Sequence, residues 1–247
     1  MEPGEYALMD AAEDGMWWYR ALHARIADAL TGTHGRVLDA GCGTGGLLAR
    51  LRKNPNLTLF GLEYDALAAP RAAAKSGATL VRGSINAIPF ADASFAAVIS
   101  ADVLCHGAVS PATALAELHR VLAPGGLLVL NMPSYQWLLS AHDQQVHNVR
   151  RTTSPALAAE LASAGFTRVR ARYWNTLLLP LMILQRKVLA RRNQKGKQGE
   201  TMSDVAAFPP LIDATFHALT ELERRMNLPM PAGGSILATA RKPNPSA

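Results

Sequence analysis

The chain has 247 residues, 49% of them hydrophobic and 18% charged, which excludes a wholly disordered or fibrous protein. With only Cys42 and Cys105 there is neither a disulfide framework nor a Cys-based zinc site, as expected of a reducing compartment. The net charge of +6 permits attraction to anionic surfaces or substrates, and the acidic, apolar-poor opening MEPGEYALMDAAEDG does not read as a secretory signal, so a cytoplasmic location is expected.

Residues Glu13 to Arg20, with Trp17, Trp18 and Tyr19 in a row, predict an N-terminal helix. Three adjacent aromatics cannot share one helix face, so at least one has a task beyond docking the helix. From residue 36 to 131 short apolar runs alternate with helical stretches. Strands are predicted at 36–40, 57–62, 78–82, 95–101 and 127–131, and helices after Gly46 and over 66–76 and 113–122. Strand and helix repeated at this spacing predict a doubly wound, mostly parallel α/β sheet. Ser154 as N-cap, Pro155 at the first helical position and Gly165 as the stop predict a helix, followed by a strand over 166–173. On that strand Val169, Ala171 and Tyr173 share one face, and Arg168, Arg170 and Arg172 the other. Two further helices, about 177–192 and 207–226, joined by a polar linker at 193–200, precede a final strand at 235–240. The longest apolar stretch, 173–184, is too short for a membrane span and is interrupted by Pro180.

The decisive segment is Val37-Leu38-Asp39-Ala40-Gly41-Cys42-Gly43-Thr44-Gly45-Gly46, glycines placed where the first strand turns into the first helix. Bare backbone and helix N–H groups there suit a nucleotide, and Gly41, Gly43 and Gly46 satisfy G-x-G-x-x-G, the dinucleotide pattern. Asp39 argues otherwise. Its carboxylate would repel a pyrophosphate and attract an ammonium or sulfonium group, so the expected ligand is cationic near the loop. Glu63 ends the second strand about 20 residues later, where an acid accepts ribose hydroxyls.

These motifs resemble the class I S-adenosylmethionine (SAM)-dependent methyltransferases, over roughly residues 36–241. VLDAGCGTGG is similar to their first motif, LFGLEYD to their second, VRGSI with IPF and Phe95 to their "GDAxxLPFxxxSFD" stretch, and LHRVLAPGG to their "RVLKPGG". The resemblance implies a seven-stranded Rossmann-like sheet forming one domain over 1–247, with residues 1–35 as a helical cap and 174–232 as a helical lid inserted before the last strand. It implies SAM as cofactor and S-adenosylhomocysteine (SAH) as product. Asp39, Gly41, Cys42, Gly43 and Ala101 would line the methionine end, Glu63 the ribose, Tyr64 and Ile85 the adenine faces, and Arg20 the cofactor carboxylate. Ser84 stands where the family usually has an acid on the adenine amine, and Ala96 replaces the usual aspartate after the SF pair.

For the acceptor side, ligands in such sheets sit beyond the strand ends. Residues 134–151 carry Tyr135, Trp137, His142, Asp143, His147, Arg150 and Arg151, and resemble the "HDxxVHHxRRYT" segment of one family branch. His142 or His147 is expected as general base, oriented by Asp143, with Arg150 and Arg151 holding an anionic group and Tyr135, Trp137 and His106 bordering the substrate. The alternative is that His142 and Asp143 brace a loop while the arginines face solvent. No second cluster supports a metal site. The apolar 177–184 run followed by Arg186, Lys187, Arg191 and Arg192 reads either as a lid touching a hydrophobic substrate and anionic lipid, or as a core helix with a solvated basic tail. No nucleic-acid-binding module is readable, so the expected partner is a small molecule, lipophilic or aromatic, of the quinone or natural-product kind. The competing expectation is a SAM-fold binding or partner protein that transfers no methyl group.

Overall fold

The computed structural model describes residues 3–193 and 208–244. Two helices open the chain, α1 (Pro3–Ala12) and α2 (Trp17–Ala29), so the stretch 13–20 expected as one helix breaks around Gly15. There follow β1 (Gly35–Ala40), α3 (Gly46–Leu51), β2 (Leu57–Glu63), α4 (Ala68–Ser76), β3 (Thr79–Arg82), β4 (Phe95–Ala101), α5 (Pro111–Val121) and β5 (Leu122–Pro133). After a single 3-10 turn at Gln136–Leu138 come α6 (Ala141–Gln145), α7 (Ser154–Ser163), β6 (Thr167–Trp174), α8 (Leu179–Asn193), α9 (Pro210–Met226) and β7 (Ser235–Arg241). Beyond Asn193, the linker expected at 193–200 lies outside the described residues.

The seven strands form one sheet in the order β3-β2-β1-β4-β5-β7-β6, parallel except for β7, which runs antiparallel to both neighbours. The order reverses between β1 and β4, and the glycine turn after β1 opens at that switch point. Strands covered on both faces must be apolar throughout, and β1 from Val37 onward and most of β4 are buried. One core layer joins β4 and β5 to α5 and α7 through Leu118, Val121, Leu157 and Leu161; the other joins the opposite faces to α2 and α3 through Leu22, Ile26, Leu47 and Leu51.

Two local expectations shift. The strand expected at 127–131 begins instead at Leu122, and Pro124-Gly125-Gly126 forms a bulge inside it, where the register against β4 jumps from Phe95↔Leu122 to Ala97↔Leu127. The α7 cap is Thr153, whose side chain accepts from the Ala156 N–H, because Ser154 is engaged with β6. Ser154 Oγ donates to the Ala171 carbonyl at 2.7 Å, and its N–H donates to the Tyr173 hydroxyl at 3.0 Å. The two faces of β6 divide as its alternation predicts, with Arg168, Arg170 and Arg172 exposed.

Phe95, fully buried, meets Phe60 and Phe90 edge-on at 5.5 and 5.0 Å, with the Arg36 guanidinium over its face at 5.2 Å. Phe95→Ala is expected to cost about 3–5 kcal/mol of unfolding free energy, checked by chemical denaturation.

Candidate active site

The glycine turn is held open by backbone that side chains resist. Gly41 and Gly45 sit at φ +94° and +92°. A Cβ on Gly45 would lie 2.7 Å from the backbone of Ala72 in α4, and one on Gly41 would lie 2.3 Å from Cγ2 of Val103. The segment after β4 therefore packs directly on the turn.

Asp39 ends β1 inside this construction. It is 2% exposed, and among the described residues its carboxylate has neither a hydrogen-bond donor nor an ion-pair partner. Burial, reinforced by the charges of Glu63 and Glu13, pushes its pKa up to about 8. Glu63, also buried, accepts from the N–H groups of Gly43 at 2.8 Å and Asp65 at 2.9 Å, while burial raises its pKa. A buried orphan carboxylate is costly unless a cation reaches it. The donor set therefore fits an ammonium-bearing nucleoside and disfavours a diphosphate.

Beside this, a cavity of about 530 Å³ is lined by Tyr64, Asp65, Ala66, Arg82, Gly83 and Ser84. Tyr64 is 75% exposed at its rim and Ile85 is buried behind it. The Ser84 hydroxyl accepts from the Asn86 N–H at 3.1 Å and so closes a short turn. Cys42 is a buried filler against Leu48 and Ala72, its thiol pushed up by burial and by Asp39.

Helix α1 lies over the turn, a contact no motif announced. A Cβ on Gly43 would lie 2.7 Å from Cε of Met9, and the Tyr6 hydroxyl is pushed up by burial and by the nearby charges of Glu63 and Asp65. Glu13, 5% exposed, accepts from Thr44 Oγ1 at 2.7 Å and from Lys75 Nζ at 2.6 Å; Lys75 also pairs with Asp10 at 2.5 Å.

The acceptor side differs from expectation in its ion pairs. Asp143, 1% exposed, takes a bidentate contact from Arg151 (2.8 and 2.9 Å to the two oxygens from one nitrogen, 3.2 Å from Nε) and accepts from Ser140 N–H and Oγ. Arg151 also donates to the Ser134 carbonyl, and Arg186 of α8 approaches Asp143 at 3.8 Å. Asp143 is thus the counter-charge of a buried arginine, which holds its carboxyl below the usual range despite burial. Arg151 is not open to an anionic substrate, and Arg150 is paired with Glu160 of α7. Arg20, expected on the cofactor, pairs with Asp213 of α9. His147 is exposed at φ +59°, and the side chain of His142 lies outside the described residues. His106 is partly buried and held below its usual pKa by burial. Tyr135 stacks between Trp137 and Tyr173 at 5.5 and 5.4 Å.

The aromatic triplet splits its work. Trp17 packs edge-on to Phe216 of α9, while Trp18 stacks on Trp174 at the end of β6 at 6.0 Å. Trp174 Nε1 donates to Asn131 Oδ1 at 2.9 Å, and Asn131 Nδ2 donates to both oxygens of Asp102 at 3.0 Å. This chain crosses the carboxyl ends of β4, β5 and β6. Among the described residues no cluster of His, Cys, Asp or Glu could hold a metal ion.

Residues 38–130 match the family model described as methyltransferase domain. The chain is 32% identical over 148 residues to 24-methylenesterol C-methyltransferase 2 of Oryza sativa subsp. japonica, covering 53% of this chain and 39% of that protein. It is 33% identical over 156 residues to malonyl-[acyl-carrier protein] O-methyltransferase of Enterobacter lignolyticus, covering 58% and 61%. The chain thus spans 39% and 61% of these two relatives' lengths, less than two thirds of either. In structure it is similar to Haemonchus contortus phosphoethanolamine N-methyltransferase 2 solved with SAM, with TM-score 0.61, 15% identity, and 90% of this chain and 52% of that one covered. Sheet order and glycine turn define an α/β fold of the Rossmann-like type. Residues 38–130 are similar to methyltransferase domains, and the fold of the whole chain is similar to that of class I SAM-dependent methyltransferases.

Two outcomes test this geometry. Arg151→Ala strands a buried carboxylate and is expected to cost about 3–5 kcal/mol in chemical denaturation, whereas Arg151→Met with Asp143→Leu recovers most of it. Asp39 has a folded pKa of about 8 against about 3.9 unfolded, so its stabilising, protonated contribution is complete below the unfolded value and fades as pH rises through 8. Ligand-free Asp39→Asn is therefore expected to be more stable than wild type at pH 8 and to lose most of that advantage by pH 4.

Proposed function

We propose that this protein transfers a methyl group from SAM to an O, N or C atom of a small lipophilic or aromatic acceptor. The observation that carries the reading is the Asp39 carboxyl group at the mouth of the glycine turn, buried and, among the described residues, without a hydrogen-bond or ion-pair partner. Such a group favours a ligand bearing an ammonium beside a sulfonium, and SAM supplies both together with an electrophilic methyl carbon. Asp39 and the Gly41–Gly43 backbone would hold the methionine end and Glu63 the ribose. The cavity beside Tyr64 and Ser84 would take the adenine.

What the chain contributes beyond binding is position and exclusion of water. Positioning alone supplies much of the rate of a displacement at a sulfonium-bound methyl. The Trp137–Tyr135–Tyr173 stack would offer a flat apolar wall to the acceptor. Leu177, Leu181 and Leu184, spaced four and three residues apart on and just before α8, are 41–59% exposed, and Trp137 is 62% exposed. That surface supports a lipophilic acceptor and contact with a lipid interface through residues 177–192. No helix among the described residues is long and apolar enough to cross a membrane. The sterol-methylating activity named for one sequence relative supports an acceptor with a large apolar part.

Calorimetry is expected to show SAM and SAH binding with 1:1 stoichiometry and no binding of NAD; Asp39→Ala is expected to weaken SAM at least a hundredfold, about 2.7 kcal/mol. Incubation with methyl-labelled SAM and a panel of sterols, quinols and acyl thioesters then reads the transfer itself. Undiminished SAM affinity in Asp39→Ala would refute the assignment of the turn.

A further inference from the structure

Asp102 is the first residue beyond β4, and its geometry is unusual for an aspartate. Its backbone sits at φ +53°, a conformation that costs free energy in a non-glycine residue and is kept where the surroundings impose it. The surroundings do so here. Its N–H donates to the Asn131 carbonyl at 3.0 Å, its carboxylate receives both contacts from Asn131 Nδ2, and its carbonyl accepts from Cys105 Sγ at 3.1 Å. The next residue, Val103, packs against Gly41. Asp102 therefore stands at the methionine end of the cofactor turn, on the side facing Asn131 and Trp174, where the acceptor walls begin.

Resting on the cofactor reading above, we propose that Asp102 is the catalytic base of the transfer, with Asn131 as its positioning residue. In the step the acceptor atom forms a bond to the methyl carbon and the carbon–sulfur bond breaks with its electrons going to sulfur. The acceptor's proton passes to an oxygen of Asp102. Burial pushes the Asp102 carboxyl up to about 6, against the lowering effects of Asn131 and Arg151 and with the raising effect of Asp143. It is therefore ionised at neutral pH yet basic enough to take a proton. Asn131 in turn is fixed by Trp174, so the carboxylate is aimed by a chain of side chains rather than by solvent.

The proposal can be tested without knowing the acceptor. SAM and SAH differ by one methyl and one positive charge, both at sulfur, while the ammonium that Asp39 faces is common to them. A base close to the methyl couples its ionisation to that charge alone. The ratio of SAM to SAH affinity, measured by calorimetry from pH 5 to 8, is expected to rise about tenfold around pH 6, a coupling of one pKa unit. In Asp102→Asn, which suits the positive φ, the ratio is expected to stay flat while SAH affinity changes less than threefold. In Asn131→Ala, where the carboxylate loses its two donor contacts, the midpoint is expected to move to higher pH. His106 follows four residues on, and Asp39, its pKa pushed up to about 8, also faces the cofactor turn; an undiminished rise in Asp102→Asn would transfer the effect to one of them and overturn the proposal. A flat ratio in wild type with both nucleosides bound would overturn it equally. Absence of binding by either nucleoside would instead refute the cofactor reading on which it rests. A circular-dichroism melt of each variant separates loss of fold from loss of coupling.

Discussion

A single buried carboxyl group organises this molecule. Asp39 lies near the end of the first strand where water is excluded and, among the described residues, no cation pairs with it, so burial together with Glu63 and Glu13 pushes its pKa up to about 8. Folding brings these carboxyl groups together at a cost, which protonation lowers in the free protein and a positively charged ligand would lower by pairing with the ionised form. The glycines around it are the geometric counterpart, since Gly41, Gly43 and Gly45 all sit at left-handed φ and have neighbours within 3 Å of any added Cβ. Charge selects the ligand and backbone geometry gives it room.

The rest of the site follows from where the sheet reverses direction. Between β1 and β4 the helices leave toward opposite faces, which opens the strand ends to a ligand. The polar chain from Asp102 through Asn131 to Trp174 spans the floor of that opening, and Trp18 stacks on its far end. The buried pair of Asp143 and Arg151 ties the segment after β5 to the same floor. That pair rigidifies the acceptor side, and Arg186 links it to α8.

The order of strands and helices, the cofactor turn and the split duty of the aromatic triplet were legible in the residues because each depends on neighbours in sequence. Glycine before a helix, alternation along β6 and three aromatics in a row constrain local geometry whatever the partner. The ion pairs were not legible. Arg20 with Asp213 joins residues 193 apart, and Arg150 with Glu160 and Arg151 with Asp143 depend on how α6 and α7 pack. A lone arginine does not state whether it will meet a ligand or a carboxylate from another element. Asp102 was missed for a related reason: its significance lies in a positive φ and in Asn131 on the adjacent strand, and neither leaves a pattern along the chain.

The covering of the turn by α1 has a kinetic side. With Met9 seated on Gly43 and Glu13 reaching Thr44, the nucleoside cannot pass along that face while the helix stays down. The clasp is ionic and partly open to water, one lysine shared by Asp10 and Glu13, so salt loosens it. That face of the turn is thus closed by a contact whose ionic part weakens as salt rises.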